Sequence, residues 1–414
     1  MTRTLDSRPT LNPAPSVSNR PPAAARTVLR LLRGLVAGTL DIELPDGKRQ
    51  TFGTGAEPRA AMRLNNWTVF GAALRSGDIG FAETYIKGDW TTPDLTRLIT
   101  LFIVNREHME KVLYGSWLGR LFYRVRHLLN RNSREGSLRN IHAHYDLGNG
   151  FYKQWLDETM NYSSAWFNGQ TDQPLAQAQW AKISRALEQA GVQADTRALE
   201  IGCGWGAVAE AAARRGATLT GITLSTEQLD YARSRLDDAG LSAQTDLRLQ
   251  DYRDVQDGPY DAIVSIEMFE AVGREYWATF FDAVSRNLKA GGRACIQSIT
   301  IRDDLFERYA ESTDFIQQYI FPGGMLPSES EFIKAARAAG LQIEAVMRFG
   351  PDYAETLRRW RTPFHANDQK IRALGFDTPF MRTWDFYLAY CEAAFDTGNT
   401  NVVQFTLSKP GQAS

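Results

Sequence analysis

Ala198-Leu199-Glu200-Ile201-Gly202-Cys203-Gly204-Trp205-Gly206 reads as a short apolar strand entering a glycine turn, and the Ala-rich run 207–215 that follows reads as a helix. Glycines let a turn adopt positive φ and let the backbone approach a ligand. The spacing G-x-G-x-G differs from G-x-G-x-x-G, in which a dinucleotide pyrophosphate sits on the helix N-terminus. No P-loop Lys-Ser/Thr follows, which argues against a nucleoside triphosphate. Outward from the turn, strand and helix alternate. Residues 218–223 predict a strand. Residues 225–239 predict a helix opened by a Ser/Thr cap, with Glu227 and Gln228 in its first turn. Residues 247–249, 262–266 and 293–299 continue the strands, and late apolar strands at 341–347 and 401–407 are expected to close the sheet edge. Such βαβ alternation makes a doubly wound parallel α/β sheet.

The chain has 414 residues, which suggests two or three domains. Its 43% hydrophobic and 23% charged residues exclude bulk disorder, collagen and coiled coil. A formal charge of −1 argues against general nucleic-acid binding. Three scattered cysteines, Cys203, Cys295 and Cys391, form neither a disulfide framework nor a metal pattern, which points to a reducing compartment and no metal. No segment is apolar for long enough to span a bilayer: 28–40 is cut by Arg30 and Arg33, and 98–104 is short. The Pro- and Ser-rich start lacks the apolar core of a secretion signal, so residues 1–25 read as a disordered tail. The expected address is cytoplasmic, peripherally associated with the inner face of the membrane.

Residues 26–115 read as a small α+β domain. Alternation at Leu40, Ile42 and Leu44 before Pro45-Asp46-Gly47 predicts a hairpin, and 67–90 predicts helix, turn and helix around glycines. Residues 116–140 read as a basic amphipathic linker. Between 111 and 139, Lys111, Arg120, Arg124, Arg126, Arg131, Arg134 and Arg139 face Glu135 alone. On a helix, Leu118, Leu121, Phe122, Val125 and Leu129 share one face. Such a helix can lie on anionic lipid, or pack on its own protein with a solvated basic face.

The glycine turn, taken with Gly221-Ile222-Thr223-Leu224-Ser225, resembles the S-adenosylmethionine site of Rossmann-like methyltransferases, with 249–253 at the adenine position. Further stretches narrow the likeness: His144-Tyr145-Asp146-Leu147-Gly148-Asn149-Gly150-Phe151-Tyr152, Met160-Asn161-Tyr162-Ser163-Ser164-Ala165-Trp166-Phe167, Ser265-Ile266-Glu267-Met268-Phe269-Glu270-Ala271-Val272-Gly273, and Tyr319-Ile320-Phe321-Pro322-Gly323-Gly324. With these, the chain resembles the cyclopropane-fatty-acyl-phospholipid synthase family, which includes mycolic acid cyclopropane synthases. The resemblance is strong over 140–410 and looser before. It implies a class I methyltransferase sheet, seven-stranded and mostly parallel, in a catalytic domain spanning 141–414. The implied activity is transfer of a one-carbon unit to the cis double bond of an acyl chain in membrane phospholipid, giving a cyclopropane.

The resemblance implies cofactor contacts at Tyr162, Ser163, Glu200, Gly202, Gly204, Gly206, Thr223, Ser225, Gln228, Asp251 and Tyr252. It also implies a bicarbonate acting as base, held by Ser164, Glu270, Gln297, Ile299 and Tyr353, and a late catalytic cysteine that falls at Cys391. Two positions depart from the family pattern: Ser164 stands where Cys is usual and Gln297 where His is common. Either can donate to an anion, neither is a useful base, and retention of bicarbonate stays open. Phospholipid acyl chains are the expected partner, and a homodimer is compatible with the sequence.

The chemistry sets requirements of its own. A sulfonium methyl is electrophilic and an alkene is a weak nucleophile, so attack leaves a carbocation that must be kept dry. Aromatic faces can stabilise it, with Tyr162, Trp166, Phe167 and Tyr353 as candidates. A base must then take a proton. Glu270, in an apolar Met-Phe-Glu-Ala-Val context, is the preferred carboxylate. Glu267 would share its face if the segment entered a helix. His365 is an alternative base, His144 reads as a structural hydrogen-bonder and Tyr145-Asp146 as order for a cofactor lid. Cys391 and Cys203 read as small packing residues. Three other readings remain: a C-methyltransferase giving a methylene- or methyl-branched chain, a lipid-binding homologue without catalysis, and a methyltransferase for soluble small molecules.

Overall fold

The computed structural model describes residues 21–106 and 147–411. The 116–140 linker, His144, Tyr145 and Asp146 lie outside these residues. In the larger part, seven strands form one sheet: β5 Arg197–Ile201, β6 Thr218–Thr223, β7 Thr245–Leu249, β8 Tyr260–Ile266, β9 Leu288–Ile301, β10 Gln342–Arg348 and β11 Thr400–Ser408. Their order is β10-β11-β9-β8-β5-β6-β7. Strands β5 to β9 pair in parallel, whereas β11 runs antiparallel to both β9 and β10. The mostly parallel seven-stranded sheet is the one expected.

The last strand differs from expectation. Strand β11 does not close the edge but inserts between β9 and β10. Composition explains it. Val402, Val403, Phe405 and Leu407 are all buried, as an interior strand requires, while β10 leaves Gln342, Glu344 and Arg348 exposed and takes the edge.

The N-terminal part forms a second, four-stranded sheet in the order β2-β1-β3-β4, with β1 Thr39–Glu43, β2 Arg49–Gly53, β3 Arg59–Leu64 and β4 Trp90–Thr91. The expected hairpin is β1 with β2. The glycine-marked stretch, Thr68–Lys87, is two helical segments that meet at a non-helical Gly77 with φ 57 and ψ −131, as the helix, turn and helix reading expected. The first helix, Ala23–Leu32, starts inside the stretch expected to be tail, because Ala25, Val28, Leu29 and Leu32 present one buried face.

Helix Thr378–Asp396 ties the two sheets together. It packs on helix Gly350–Ala366, on Thr68–Lys87 and on Leu95–Val104, the last capped by the Asp94 carboxylate. Leu98, Leu101, Trp90, Trp360, Trp384 and Leu388 therefore share one apolar cluster. Each such side chain contributes about 1.5–3 kcal/mol on full burial. A polar knot crosses the same junction. The Arg361 guanidinium donates to Thr96 Oγ1 (2.6 Å), Glu392 Oε2 (2.9 Å) and Asp385 Oδ1 (3.3 Å), and Tyr85 donates to Asp385 Oδ2 (2.7 Å). Removing one member of a desolvated ion network strands the others. Arg361→Met is expected to lower stability by about 3 kcal/mol, read as a lower urea midpoint; an unchanged midpoint would show that the knot does not hold the junction.

Candidate active site

A cavity of about 440 Å³ opens at the carboxyl ends of β5, β6 and β8, where the strand order reverses and ligands of open α/β sheets bind. Among the expected cofactor residues, Tyr162, Ser163, Glu200, Gly202, Gly204, Thr223, Gln228, Asp251 and Tyr252 line it. Gly206 and Ser225 do not. At Gly206 the φ is +83 and a Cβ would lie 2.9 Å from Ala232, so helix packing demands glycine there. The Ser225 hydroxyl caps helix Thr226–Asp238 by accepting from Gln228 N.

The residues that remain suit S-adenosylmethionine. Glu200, next to last in β5, has its Oε2 buried and without a hydrogen-bond partner, a polar atom that nothing in the protein satisfies. Burial pushes its carboxyl up to about 8, against the pull of Lys182 and Arg235. Gly204 has φ +49, and a Cβ there would meet no protein atom within 4 Å, so the turn presents bare backbone to the cavity.

Beyond the cofactor residues lies a carboxylate centre. β8 ends at Ile266, and Glu267 follows in the left-handed region at φ 51, where a non-glycine residue is strained. That twist turns its side chain among the residues expected to hold an anion. Ser164 N (2.9 Å) and Gln297 Nε2 (2.7 Å) donate to Glu267 Oε1, and Tyr353 OH (2.7 Å) donates to Oε2. Serine contributes its backbone here, since its hydroxyl donates to Ala165 O instead. What exposure Glu267 keeps is to the cavity. Desolvation raises its pKa above the ordinary range, opposed by Lys182 and then by the three donors.

Glu270 does not share a helical face with Glu267, because the strained residue ends the strand and only the short turn Phe269–Ala271 follows. Glu270 Oε1 accepts from Ile299 N, and Oε2 is buried without a hydrogen-bond partner. Burial, then the neighbouring Glu267, pushes Glu270 up to about 8, so it is mostly protonated at neutral pH. Cys391 borders the cavity, and burial pushes its thiol well up, which disfavours the thiolate. Cys203 is buried in the glycine turn.

Two aromatic candidates border the cavity and two do not. Tyr162, whose hydroxyl pairs with Tyr387 OH at 2.7 Å, and Tyr353 face it. The other two rings carry arginines, Arg185 at 5.9 Å over Trp166 and Arg359 at 4.7 Å over Phe167. His365 lies away from the cavity, half-exposed, with Nε2 3.0 Å from Asp385.

Sequence reasoning passed over Lys182. It is fully buried, and its Nζ donates to Ser163 Oγ at 2.6 Å. Desolvation lowers its pKa to about 8, opposed by Glu267, Asp157 and Glu200. A signal was present: Ala178, Gln179, Lys182, Ile183 and Ala186 share the helix's buried face, where an unpaired lysine does not belong.

The family model for mycolic acid cyclopropane synthetase matches residues 132–405. The chain belongs to this family. It is 42% identical over 345 residues to tuberculostearic acid methyltransferase UfaA1 of Mycobacterium tuberculosis, covering 81% of this chain and 80% of that one. It is 32% identical over 357 residues to cyclopropane-fatty-acyl-phospholipid synthase of Escherichia coli K12, covering 86% and 89%. Among solved structures, the mycolic acid cyclopropane synthase CmaA1 in complex with SAH and CTAB superposes with a TM-score of 0.61 at 33% identity, over 66% of this chain and 98% of that one. This family member is thus an S-adenosylmethionine-dependent lipid methyltransferase with a class I methyltransferase sheet.

Gly204→Leu is expected to weaken S-adenosylmethionine binding at least about tenfold, or roughly 1.4 kcal/mol, by filling the approach path. Calorimetric titration checks this, and unchanged affinity would make the turn merely structural.

Proposed function

We propose that this enzyme adds a one-carbon unit to the cis double bond of an unsaturated fatty acyl chain presented by membrane phospholipid, with Glu267 as the proton acceptor. The observation that carries this reading is the Glu267 carboxylate on the donor set expected for a free anion. Three hydrogen bonds converge on an oxygen pair that belongs to the chain itself. Bicarbonate has no place in this scheme, because its donors are engaged.

S-adenosylmethionine, when bound, supplies an electrophilic methyl whose addition to an alkene leaves a cation on the acyl chain. The cavity walls then act on that cation. Tyr162 and Tyr353 offer ring faces and hydroxyl dipoles in a desolvated space. Glu267 takes a proton from the transferred methyl as the C–H pair returns to carbon. Glu270, protonated at neutral pH, keeps a second negative charge out of the site.

Where the cation outlives the first chance of proton loss, a hydride moves from the methyl-bearing carbon to the neighbouring cationic carbon, the charge comes to rest on the methyl-bearing carbon, and Glu267 takes a proton from the methyl. The product is then an open methylene-branched chain. The 42% identity to a tuberculostearic acid methyltransferase supports this outcome. Ring closure to a cyclopropane is the second reading, favoured by the similarity to the E. coli synthase over 86% of the chain. Conversion of a methylene to a methyl branch would need a separate reductant.

Delivery of the chain fits the cavity. Phe81, Ile99, Phe102 and Ile103 of the N-terminal part and Phe386 of helix Thr378–Asp396 supply apolar wall far along the sequence from the glycine turn. Among the described residues no helix is long and apolar enough to cross a membrane. The proposed encounter is at a bilayer surface.

Purified enzyme, methyl-labelled cofactor and dioleoyl phospholipid vesicles test the reading. Label should enter the acyl chains with a mass gain of one CH₂; absence of label there removes it. Ring and methylene isomers share that mass, and only the methylene takes up hydrogen under mild hydrogenation. Glu267→Gln should lower turnover about 10²–10⁴-fold with cofactor affinity retained. Glu270→Gln, which resembles the protonated acid, should retain most turnover at neutral pH; the reverse ranking returns the base to Glu270.

A further inference from the structure

The donors around Glu267 are themselves held in place, and one of them could be held wrongly. Gln297 carries an amide with a donor end and an acceptor end of nearly equal size. Turned one way it donates to Glu267 and favours the carboxylate. Turned the other way it sets its oxygen against Glu267 and favours the protonated acid. Something must choose.

Strand β11 supplies the choice. Gln404 is the direct cross-strand partner of Gln297 in the β9–β11 pair, and both side chains are fully buried. Gln404 Nε2 donates to Gln297 Oε1 at 3.0 Å and to Lys182 O at 3.3 Å. Its own oxygen accepts from the Arg185 guanidinium, which has no acceptor end and cannot reverse. Polarity therefore passes in one direction: Arg185 fixes Gln404, Gln404 fixes Gln297, and Gln297 Nε2 donates to Glu267 Oε1 at 2.7 Å.

We infer that Arg185 and Gln404 are positioning residues that lock the Gln297 amide with its NH₂ toward Glu267, and so keep that base ionised. Neither borders the cavity. The inference rests on the reading of Glu267 as base. The groups that face Glu267 are Lys182 from helix Leu175–Ala190, Glu270 from the turn Phe269–Ala271 and Tyr353 from helix Gly350–Ala366; Asp157 and Glu200 act on it through Lys182. Gln404 touches this set only through the Lys182 backbone carbonyl, and Arg185→Met leaves that bond in place, so a shift shared by the Gln404 and Arg185 variants would report the amide.

The test is turnover against pH, with labelled cofactor and dioleoyl phospholipid vesicles, for the full-length enzyme and its variants. In Gln404→Leu the acid limb of kcat is expected to move up by about one pH unit, since a lost donor raises a carboxylate pKa. Turnover should fall about tenfold on that limb and little on the alkaline side, with cofactor affinity and KM for lipid unchanged. Arg185→Met leaves the strand interior intact and should move the limb in the same direction. In a Gln297→Leu background, Gln404→Leu should add no further shift, because the two act in series. A loss of kcat equal at every pH, or no change at all, overturns the inference. Glu267→Gln separates the two claims. Normal turnover in that variant removes the base itself. A dead Glu267→Gln beside an unshifted Gln404→Leu removes only the lock.

Discussion

A base that works beside a carbocation has to be charged in a place from which water is kept away. Desolvation opposes this, and here it lifts the pKa of Glu267 above the usual carboxylate range. Much of the catalytic half can be understood as resistance to that lift. Ser164 N, Gln297 and Tyr353 donate to the two oxygens. Lys182, sealed in the helix that covers the sheet, adds a positive charge without entering the cavity. Glu270 is left neutral by the same forces, since a second carboxylate beside the first is disfavoured by both burial and repulsion.

The sheet topology serves that centre directly. Because β11 runs antiparallel against β9, Gln404 stands opposite Gln297 inside the sheet rather than at its margin. An edge strand would leave the glutamine in contact with water, and its amide would lose directional control. The insertion of a final antiparallel strand thus has a chemical result as well as a packing one. Helix Thr378–Asp396, which leads into β11, also carries Phe386 into the cavity wall and closes the core shared with the N-terminal sheet.

Much of this was legible in the residues. The glycine turn and the strand–helix alternation give the doubly wound sheet, with most boundaries displaced by only a few residues. The hairpin at Leu40, Ile42 and Leu44 follows from alternation and a Pro-Asp-Gly turn. The order of the last two strands was not legible from position along the chain, although the contrast between Val402-Val403-Gln404-Phe405 and the polar β10 contains it. Family likeness brought Ser164, Gln297 and Tyr353 together as one set, but it did not point to the Glu267 carboxylate that they contact. Glu267 looks like the start of a helix unless one weighs an acid placed just after a buried parallel strand beside the switch point. Its left-handed backbone is a tertiary outcome that no local pattern announces. Lys182 and Gln404 share a different signature: each is a buried polar residue flanked in sequence by apolar ones, Ala181 and Ile183 for Lys182, Val403 and Phe405 for Gln404.

The wall farthest along the sequence from the glycine turn comes from Phe81, Ile99, Phe102 and Ile103, all before residue 132, where the family match begins. Part of the apolar wall is therefore written outside the stretch that carries the carboxylate centre. Under the proposed function, substitutions in that part can retune which hydrocarbon is accommodated while Glu267 and its donors keep their places.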